Sequence, residues 1–204
     1  MPLFPLPNAV LFPGGLLPLH VFEPRYLSMA RHALATHRSI AVVLTMPGDA
    51  DEHGNPPIVS VAGAGAIVDH TELPDGRLNI VLRGEARVLV SELPFVPPFR
   101  RARAEILADE GAGAEPGDVT ALLAVATAFA ADVRSQNPSF DFNIPPELAQ
   151  ERIPDLVAHY LVVDARVRQE ILESRSVRAR AQKTIEALAT QRELIRPHER
   201  GVSN

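Results

Sequence analysis

A chain of 204 residues, 46% of them hydrophobic, is long enough to bury its own core without disulfides or a structural metal. It contains no cysteine, which excludes thiolate catalysis and cysteine-based zinc or iron–sulfur sites. Residues 1–150 hold 10 basic and 17 acidic residues, a net charge of −7, whereas residues 151–204 hold 10 basic and 8 acidic residues, a net charge of +2. The negative charge of the first part disfavours binding of nucleic acid.

The amino-terminal stretch is apolar but has no positively charged leader. Prolines interrupt it at Pro2, Pro5, Pro7 and Pro13, where a signal helix or a membrane span would need continuous helix. We therefore expect a protein that is not exported, does not enter a membrane and resides in the cytoplasm.

Residues 1–107 have the pattern of a small β structure with one helix. The helix is predicted to begin at Pro24, because proline suits the first helical position and an apolar stripe follows. Short alternating or β-branched runs then predict strands at 40–45, 58–70, 78–82, from Gly84 to about Val90, and in the segment FRRARAEIL. We expect these strands to close into a small barrel or pseudo-barrel, because closure removes exposed edges.

Glycines and turn residues punctuate these strands. Gly63 and Gly65 lie inside a predicted strand and indicate a bulge or a bent corner, and the Pro74-Asp75-Gly76 sequence predicts a reverse turn. Gly84 predicts a break between two strands of a meander.

The second half reads as helical. Residues 108–117 have the composition of a linker, and residues 118–196 show three- and four-residue apolar spacing. Asp118 and Asp164 are predicted helix caps, and Pro154 a helix start. Residues 197–204 form a polar tail. The predicted fold class is therefore α+β, with a β subdomain at 1–107 and a helical subdomain at 118–196.

The residues present no complete catalytic, metal or cofactor site. Asp49, Asp51 and His53 match the start of a calcium loop, but prolines follow and Ser60 stands where a bidentate Glu is required, which favours a solvated hairpin loop. No histidine pair has helical metal spacing, and neither a P-loop nor a G-x-S-x-G elbow occurs. The acidic residues Asp109 and Glu110 fall in the linker, where we expect nothing to tune their pKa values. We expect no cofactor, no metal and no catalytic residue.

The stretch LFPGGLLPLHVFEPRY, residues 11–26, leaves two interpretations open. Its leucines and phenylalanines fill the core, or part of it lies as an exposed apolar ridge that marks a partner site. The candidate peptide-binding residues of the second interpretation are Phe12, Pro13, Leu16, Leu17, Phe22, Arg25 and Tyr26. Glu23, Arg25 and Tyr26 serve equally well as an internal brace.

At this point the sequence resembles a known family. The segments PLFPLPNAVLFPGGLLPLHVFEPRYLSMARHAL, DGRLNIVLRGEARVLV and RQEILESRSVRARAQKTIEAL are similar to the N-terminal substrate-binding domain of the Lon protease family, with F-P-x-x-x-x-P-L-x-x-F-E-P-R-Y as the most specific motif. The strand VAGAGAIVDH departs from it, since Ala64 stands where relatives tend to have Thr.

The resemblance implies a PUA-like pseudo-barrel followed by a helical subdomain. It also implies a non-catalytic module, standing alone without the ATPase and peptidase domains, that binds unfolded or damaged polypeptides and works with a protease or chaperone component. We expect a monomer or a weak dimer. The alternative is RNA or nucleotide binding through the PUA-like barrel, for which Arg100, Arg101 and Arg103 form the one cluster of cations.

Overall fold

Six strands, five α-helices and one short 3₁₀ helix (Gln150–Arg152) are the regular elements in the described part of the chain. A computed structural model describes residues 1–111, 113 and 115–195. The strands are β1 (Leu3–Leu6), β2 (Leu16–Val21), β3 (Ser39–Leu44), β4 (Val61–Glu72), β5 (Leu78–Glu92) and β6 (Ala102–Ile106). The helices are α1 (Pro24–Ala35), α2 (Pro116–Gln136), α3 (Ile153–Leu161), α4 (Ala165–Glu173) and α5 (Val177–Ile195).

The strands form one mixed sheet that curls back on itself. Its order is β1-β3-β4-β5-β2, with β6 also paired to β5, and only β1 and β3 run parallel. A single bridge between Pro2 and Arg101 connects the β1 edge to the start of β6, and the Met1 ammonium donates to the Ala102 carbonyl. One bridge in place of a full ladder makes this a pseudo-barrel. The predicted α+β fold with a β pseudo-barrel and carboxy-terminal helices is confirmed.

Glycines in β4 and β5 let an inner segment cross the sheet at close range. A Cβ atom on Gly63 would lie 1.8 Å from the Leu11 carbonyl oxygen, and one on Gly84 would lie 2.0 Å from the Phe12 carbonyl oxygen. The predicted bulge is confirmed by a register shift between Ala64 and Gly65. The predicted break at Gly84 is wrong, because β5 continues through it: the glycine makes room for backbone and does not end the strand.

Helix starts follow the predicted signals with one exception. The Asp164 carboxylate accepts the N–H groups of Arg166 and Val167 at the start of α4, as predicted. Asp118 is not the N-cap of α2. The helix begins earlier, at Pro116, with Glu115 as N-cap, and Asp118 accepts the Glu115 N–H in a reciprocal capping box.

The long helix α2 is apolar enough, by length and composition alone, to cross a membrane. Core helices pass the same test, and Leu122, Ala126 and Phe129 of α2 are buried in the apolar cluster that includes residues of α3 and α5. The predicted tail, 197–204, and residue 196 lie outside the described residues.

A buried ionic cluster joins the helices to the sheet. Arg87 of β5 lies 2.7 Å from Asp155 of α3 and 2.9 Å from Asp109, and its Nε donates to the Leu172 carbonyl. Arg180 of α5 reaches the same two carboxylates at 2.9 and 2.7 Å. The side chains of Arg87, Asp155 and Arg180 are at most 3% exposed.

The cluster corrects the expectation that nothing tunes Asp109. Burial opposes ionisation of Asp109, but the hydrogen bond and charge of Arg180, with the charge of Arg87, outweigh it and lower its pKa below 3.8. For Asp155 burial raises the pKa, against the opposing charges of the two arginines. The arginines approach from β5 and α5, far along the chain, so local composition gave no sign of them.

Candidate functional site

A groove of about 440 Å³ lies between the end of β1 and the corner that joins β2 to α1. Its walls are formed by the segment 4–7 on one side and the segment 20–23 on the other, with Tyr26, Thr45 and Pro56 completing it. Most of these side chains are apolar, and none is an acid–base pair or a nucleophile with a base. The arrangement suits contact with apolar groups better than chemistry.

Phe22 stands at the lip of this groove. Strand β2 ends at Val21 and α1 begins at Pro24, so Phe22 lies in the connection, and its side chain is 60% exposed. The His20 ring lies beside it, with 6.0 Å between ring centroids. Pro24 fixes the first helical turn, where Tyr26 and Leu27 donate N–H groups to the Glu23 carbonyl. The corner therefore holds a large apolar ring out toward solvent.

Beside Phe22, three charged or aromatic side chains brace the groove. Arg25 lies 3.5 Å from the Glu23 carboxylate and 5.7 Å from the centre of the Tyr26 ring. The Tyr26 ring packs on Phe4, with centroids 4.7 Å apart. Burial, and then the Glu23 charge, raise the pKa of Tyr26. The predicted brace is present, and it ties the helix start to β1.

The structure separates the predicted site residues into three groups. Phe22 and Tyr26 line the groove, and Arg25 is exposed next to it. Phe12 is fully buried and Pro13 is buried, so their prediction as exposed binding residues is wrong. The Phe12 ring packs in the apolar cluster of the helices, with the His159 ring in edge contact. It is buried because Gly63 and Gly84, which lack side chains, leave room for the backbone of residues 11 and 12 close against the sheet.

Leu16 and Leu17 lie outside the groove. Leu17 is half-buried against the barrel core, and Leu16 is 42% exposed. Both backbone groups of Leu16 are held by α3: its N–H donates to the Tyr160 hydroxyl at 3.1 Å, and its carbonyl accepts from His159 Nε2 at 3.0 Å. Burial lowers the pKa of His159 below 6.5, the Leu16 carbonyl opposes this, and the Arg168 charge adds to it.

Comparisons with known proteins agree on one family. The family model described as "ATP-dependent protease La (LON) substrate-binding domain" matches residues 1–190. This chain belongs to that family. Among curated relatives, the Lon protease of Anaeromyxobacter dehalogenans is 26% identical over 96% of this chain, but the match covers only 24% of that protease. The chain therefore spans about a quarter of the length of such relatives.

Two solved structures share the fold of this chain. A Lon N-terminal domain protein from Xanthomonas campestris superposes with a TM-score of 0.62 at 24% identity, covering 91% of this chain and 96% of that one. The N-terminal domain of a Mycobacterium avium complex Lon protease superposes with a TM-score of 0.67 at 14% identity, and the match covers 92% of this chain and 97% of that one. At these identities the likeness shows the fold alone.

Prolines remove hydrogen-bond donors from the edge of β1 at the groove and from the edge of β2 next to it. The Leu3 N–H donates outward to Arg100, so Pro5, two residues later, presents the same edge without an N–H. Leu16 likewise bonds outward, and Pro18 follows it on the free edge of β2. The edges offer apolar side chains but a poor template for an added strand. This gives Pro5 and Pro18 a structural role.

Sequence reasoning missed the β1 wall of the groove. Phe4, Leu6 and Pro7 belong to an apolar, proline-broken run that argues against a membrane helix and forms part of the family-like segment, but nothing in the run marks a binding site. Nothing in the sequence marks Thr45 and Pro56 as part of a site. They lie in the connection between β3 and β4, and the pairing of β3 with β1 and β4 brings them to the groove.

The residues of the two alternative sites, the calcium-like loop and the arginine cluster, make contacts within the protein itself. Asp51 accepts the N–H groups of His53 and Asn55 inside its own loop, between antiparallel strands β3 and β4. Within the described residues no group of three His, Asp or Glu side chains is placed to hold a metal. Of the cations proposed for RNA, Arg100 is buried and pairs with Glu92 at 2.6 Å. The predicted cluster therefore does not form one exposed basic surface.

Proposed function

We propose that this Lon substrate-binding domain is a non-catalytic module that binds exposed apolar segments of unfolded or damaged polypeptides. The groove beside Phe22 and Tyr26 is the proposed site. The single observation that carries the proposal is the exposure of Phe22, which is 60% accessible on the lip of a mostly apolar groove. A large exposed aromatic in such a position is a feature of interaction sites.

The form of the groove favours loose recognition by side chains. Pro5 deprives its β1 edge of a donor and Pro18 does the same for the neighbouring edge of β2, so a client gains little from backbone pairing. Side-chain burial then supplies the affinity, and it discriminates weakly between sequences. This suits a protein that must accept many unfolded clients and ignore folded ones, whose apolar residues are buried.

The size of the contact limits the affinity. Burying the exposed part of Phe22 contributes about 1–2 kcal/mol, from roughly 1.5–3 kcal/mol for a whole side chain. Association costs several kcal/mol, so we expect a dissociation constant of about micromolar or weaker for one short segment. Clients with several apolar segments gain from multivalency.

The proposal is tested by fluorescence anisotropy with a labelled, neutral peptide that carries one Leu-Phe-Leu segment. Phe22→Ser is expected to weaken binding by roughly tenfold, equivalent to about 1.4 kcal/mol. Ile106→Ser is the matched control, because Ile106 is 76% exposed and does not line the groove. Circular dichroism checks that both variants fold. Equal loss in both variants, or no loss with Phe22→Ser, contradicts the proposed site.

A further inference from the structure

The groove beside Phe22 is the first of three adjoining depressions. A second, of about 380 Å³, shares Pro7 and Thr45 with it and carries Met46, which is 44% exposed. A third, of about 450 Å³, lies between α4 and α5 and shares Asp164 with the second. The three depressions form a track that leads from the pseudo-barrel onto the helices.

Each depression contains one large, exposed apolar side chain. These are Phe22, Met46 and Leu194, and Leu194 is 80% exposed. Exposed apolar groups repeated along a track suit a polypeptide in extended form, which presents side chains at intervals. A compact ligand would use only one of the depressions.

The α4–α5 depression differs from the first in its charge. Val167, Ile171 and Ala187 give it an apolar floor, while Glu170 and Glu186 stand at its walls. Within the part of the chain that the structure describes, neither of these carboxylates forms an ion pair. Lys183 is the one cation that lines the depression, and its ammonium group lies 3.3 Å from the backbone carbonyl of Glu170.

Because acidic side chains flank an apolar floor, the complementary ligand is apolar and basic. A leucine-like side chain fills the floor, and a neighbouring Lys or Arg lies between the two carboxylates. An acidic segment would be repelled from the same place. The first groove has no such preference, since Glu23 is paired with Arg25.

We propose, on the basis of the function proposed above, that one extended client occupies the whole track. An apolar segment binds beside Phe22, and a later segment of the same chain, apolar with a flanking Lys or Arg, binds between α4 and α5. The domain therefore favours clients in which basic residues follow apolar ones. The chain is held at two places at once, which raises the overall affinity without a tight contact at either.

The test uses three labelled peptides. The first carries only the neutral Leu-Phe-Leu segment, the second adds a Gly-Ser spacer and Leu-Leu-Lys-Lys, and the third ends in Leu-Leu-Glu-Glu. The protein is compared with the double variant Glu170→Gln/Glu186→Gln, which removes both carboxylates and raises the net charge by two. Glu193→Lys is the charge-matched control, since Glu193 is exposed on the same helix and does not line the depression.

The lysine peptide is expected to bind the unaltered protein about tenfold more tightly than the glutamate peptide at low salt, with the difference reduced at 1 M salt. The double variant should lose that difference while Glu193→Lys keeps it, and both should bind the first peptide as before. If the double variant retains the difference, the inference is overturned even where Phe22→Ser still weakens the first peptide. If Phe22→Ser leaves binding of the first peptide unchanged, the site beside Phe22 fails separately.

Discussion

Arg87 and Asp155 form a buried ion pair, with 2.7 Å between guanidinium nitrogen and carboxylate oxygen, that joins strand β5 to helix α3. Arg180 reaches the same carboxylate from α5. One carboxylate thus fixes the pseudo-barrel relative to two helices, and with them the track that runs across their junction.

Asp155→Asn should destabilise the protein by about 3–5 kcal/mol, because it leaves two buried guanidinium groups without full compensation. The control is Glu72→Gln, which removes an exposed pair with Arg31 and should change stability by at most about 0.5 kcal/mol. Urea unfolding followed by circular dichroism measures both. Similar small effects for the two substitutions would show that the buried cluster does not hold the helices to the sheet.

Gly63→Ala should destabilise the protein by about 3 kcal/mol, since the added methyl group would lie 1.8 Å from the Leu11 carbonyl oxygen and backbone must shift. Gly117→Ala is the matched control. It lies in α2, where no atom beyond its chain neighbours and the adjoining helix backbone is within 4 Å of the added methyl group, and the substitution should stabilise the protein by about 0.4–1 kcal/mol. Thermal unfolding distinguishes them, and a tolerated Gly63→Ala would contradict the close crossing of β4.

Tyr160→Phe should loosen the segment around Leu16. The substitution removes the hydroxyl that accepts the Leu16 N–H and should cost about 0.5–1.5 kcal/mol. Hydrogen exchange of the Leu16 amide should become faster, while amides in the middle of β4 keep their protection. Unchanged exchange at Leu16 would mean that the Tyr160 contact does not hold this segment.

Stability should fall as pH is lowered from about 6.5 toward 5, and His159 should account for part of the fall. Its pKa in the folded protein is below the ordinary 6.5, so the unfolded chain binds the proton first and acid favours unfolding. The contribution of neutral His159 to the free energy of unfolding is complete above pH 6.5 and is lost as the pH falls below that value. His159→Gln should flatten this part of the stability profile, measured by urea unfolding at several pH values. An equally steep profile in the variant would exclude His159 as its source.

The sequence allowed the fold to be predicted well because local signals were strong and consistent. Pro24, Pro154 and Asp164 mark helix starts that the structure confirms, and the alternating runs become strands. Where two signals competed, the prediction was wrong: Pro116 started α2 before Asp118. The division into subdomains at 107 and 118 stays a prediction, and the shared carboxylates of Asp109 and Asp155 tie the two parts together.

The site was only partly predictable, for a physical reason. An apolar run does not reveal which of its residues pack against glycines of the sheet. Phe12 and Phe22 therefore look equivalent in the sequence, although Phe12 is fully buried and Phe22 is 60% exposed. The β1 wall of the groove and the buried arginines depend on contacts between distant segments. Such contacts are set by sheet register and helix packing, which no local pattern specifies.

The central claim is tested most directly by mapping the contact of an unfolded client on the backbone amides of the protein. In ¹H–¹⁵N spectra, a chemically unfolded, alkylated protein should shift the amides of Phe4, Leu6 and residues 20–23, and its native form should not. Phe22→Ser should abolish most of these shifts. Shifts confined to other surfaces, or none at high client concentration, would contradict the account.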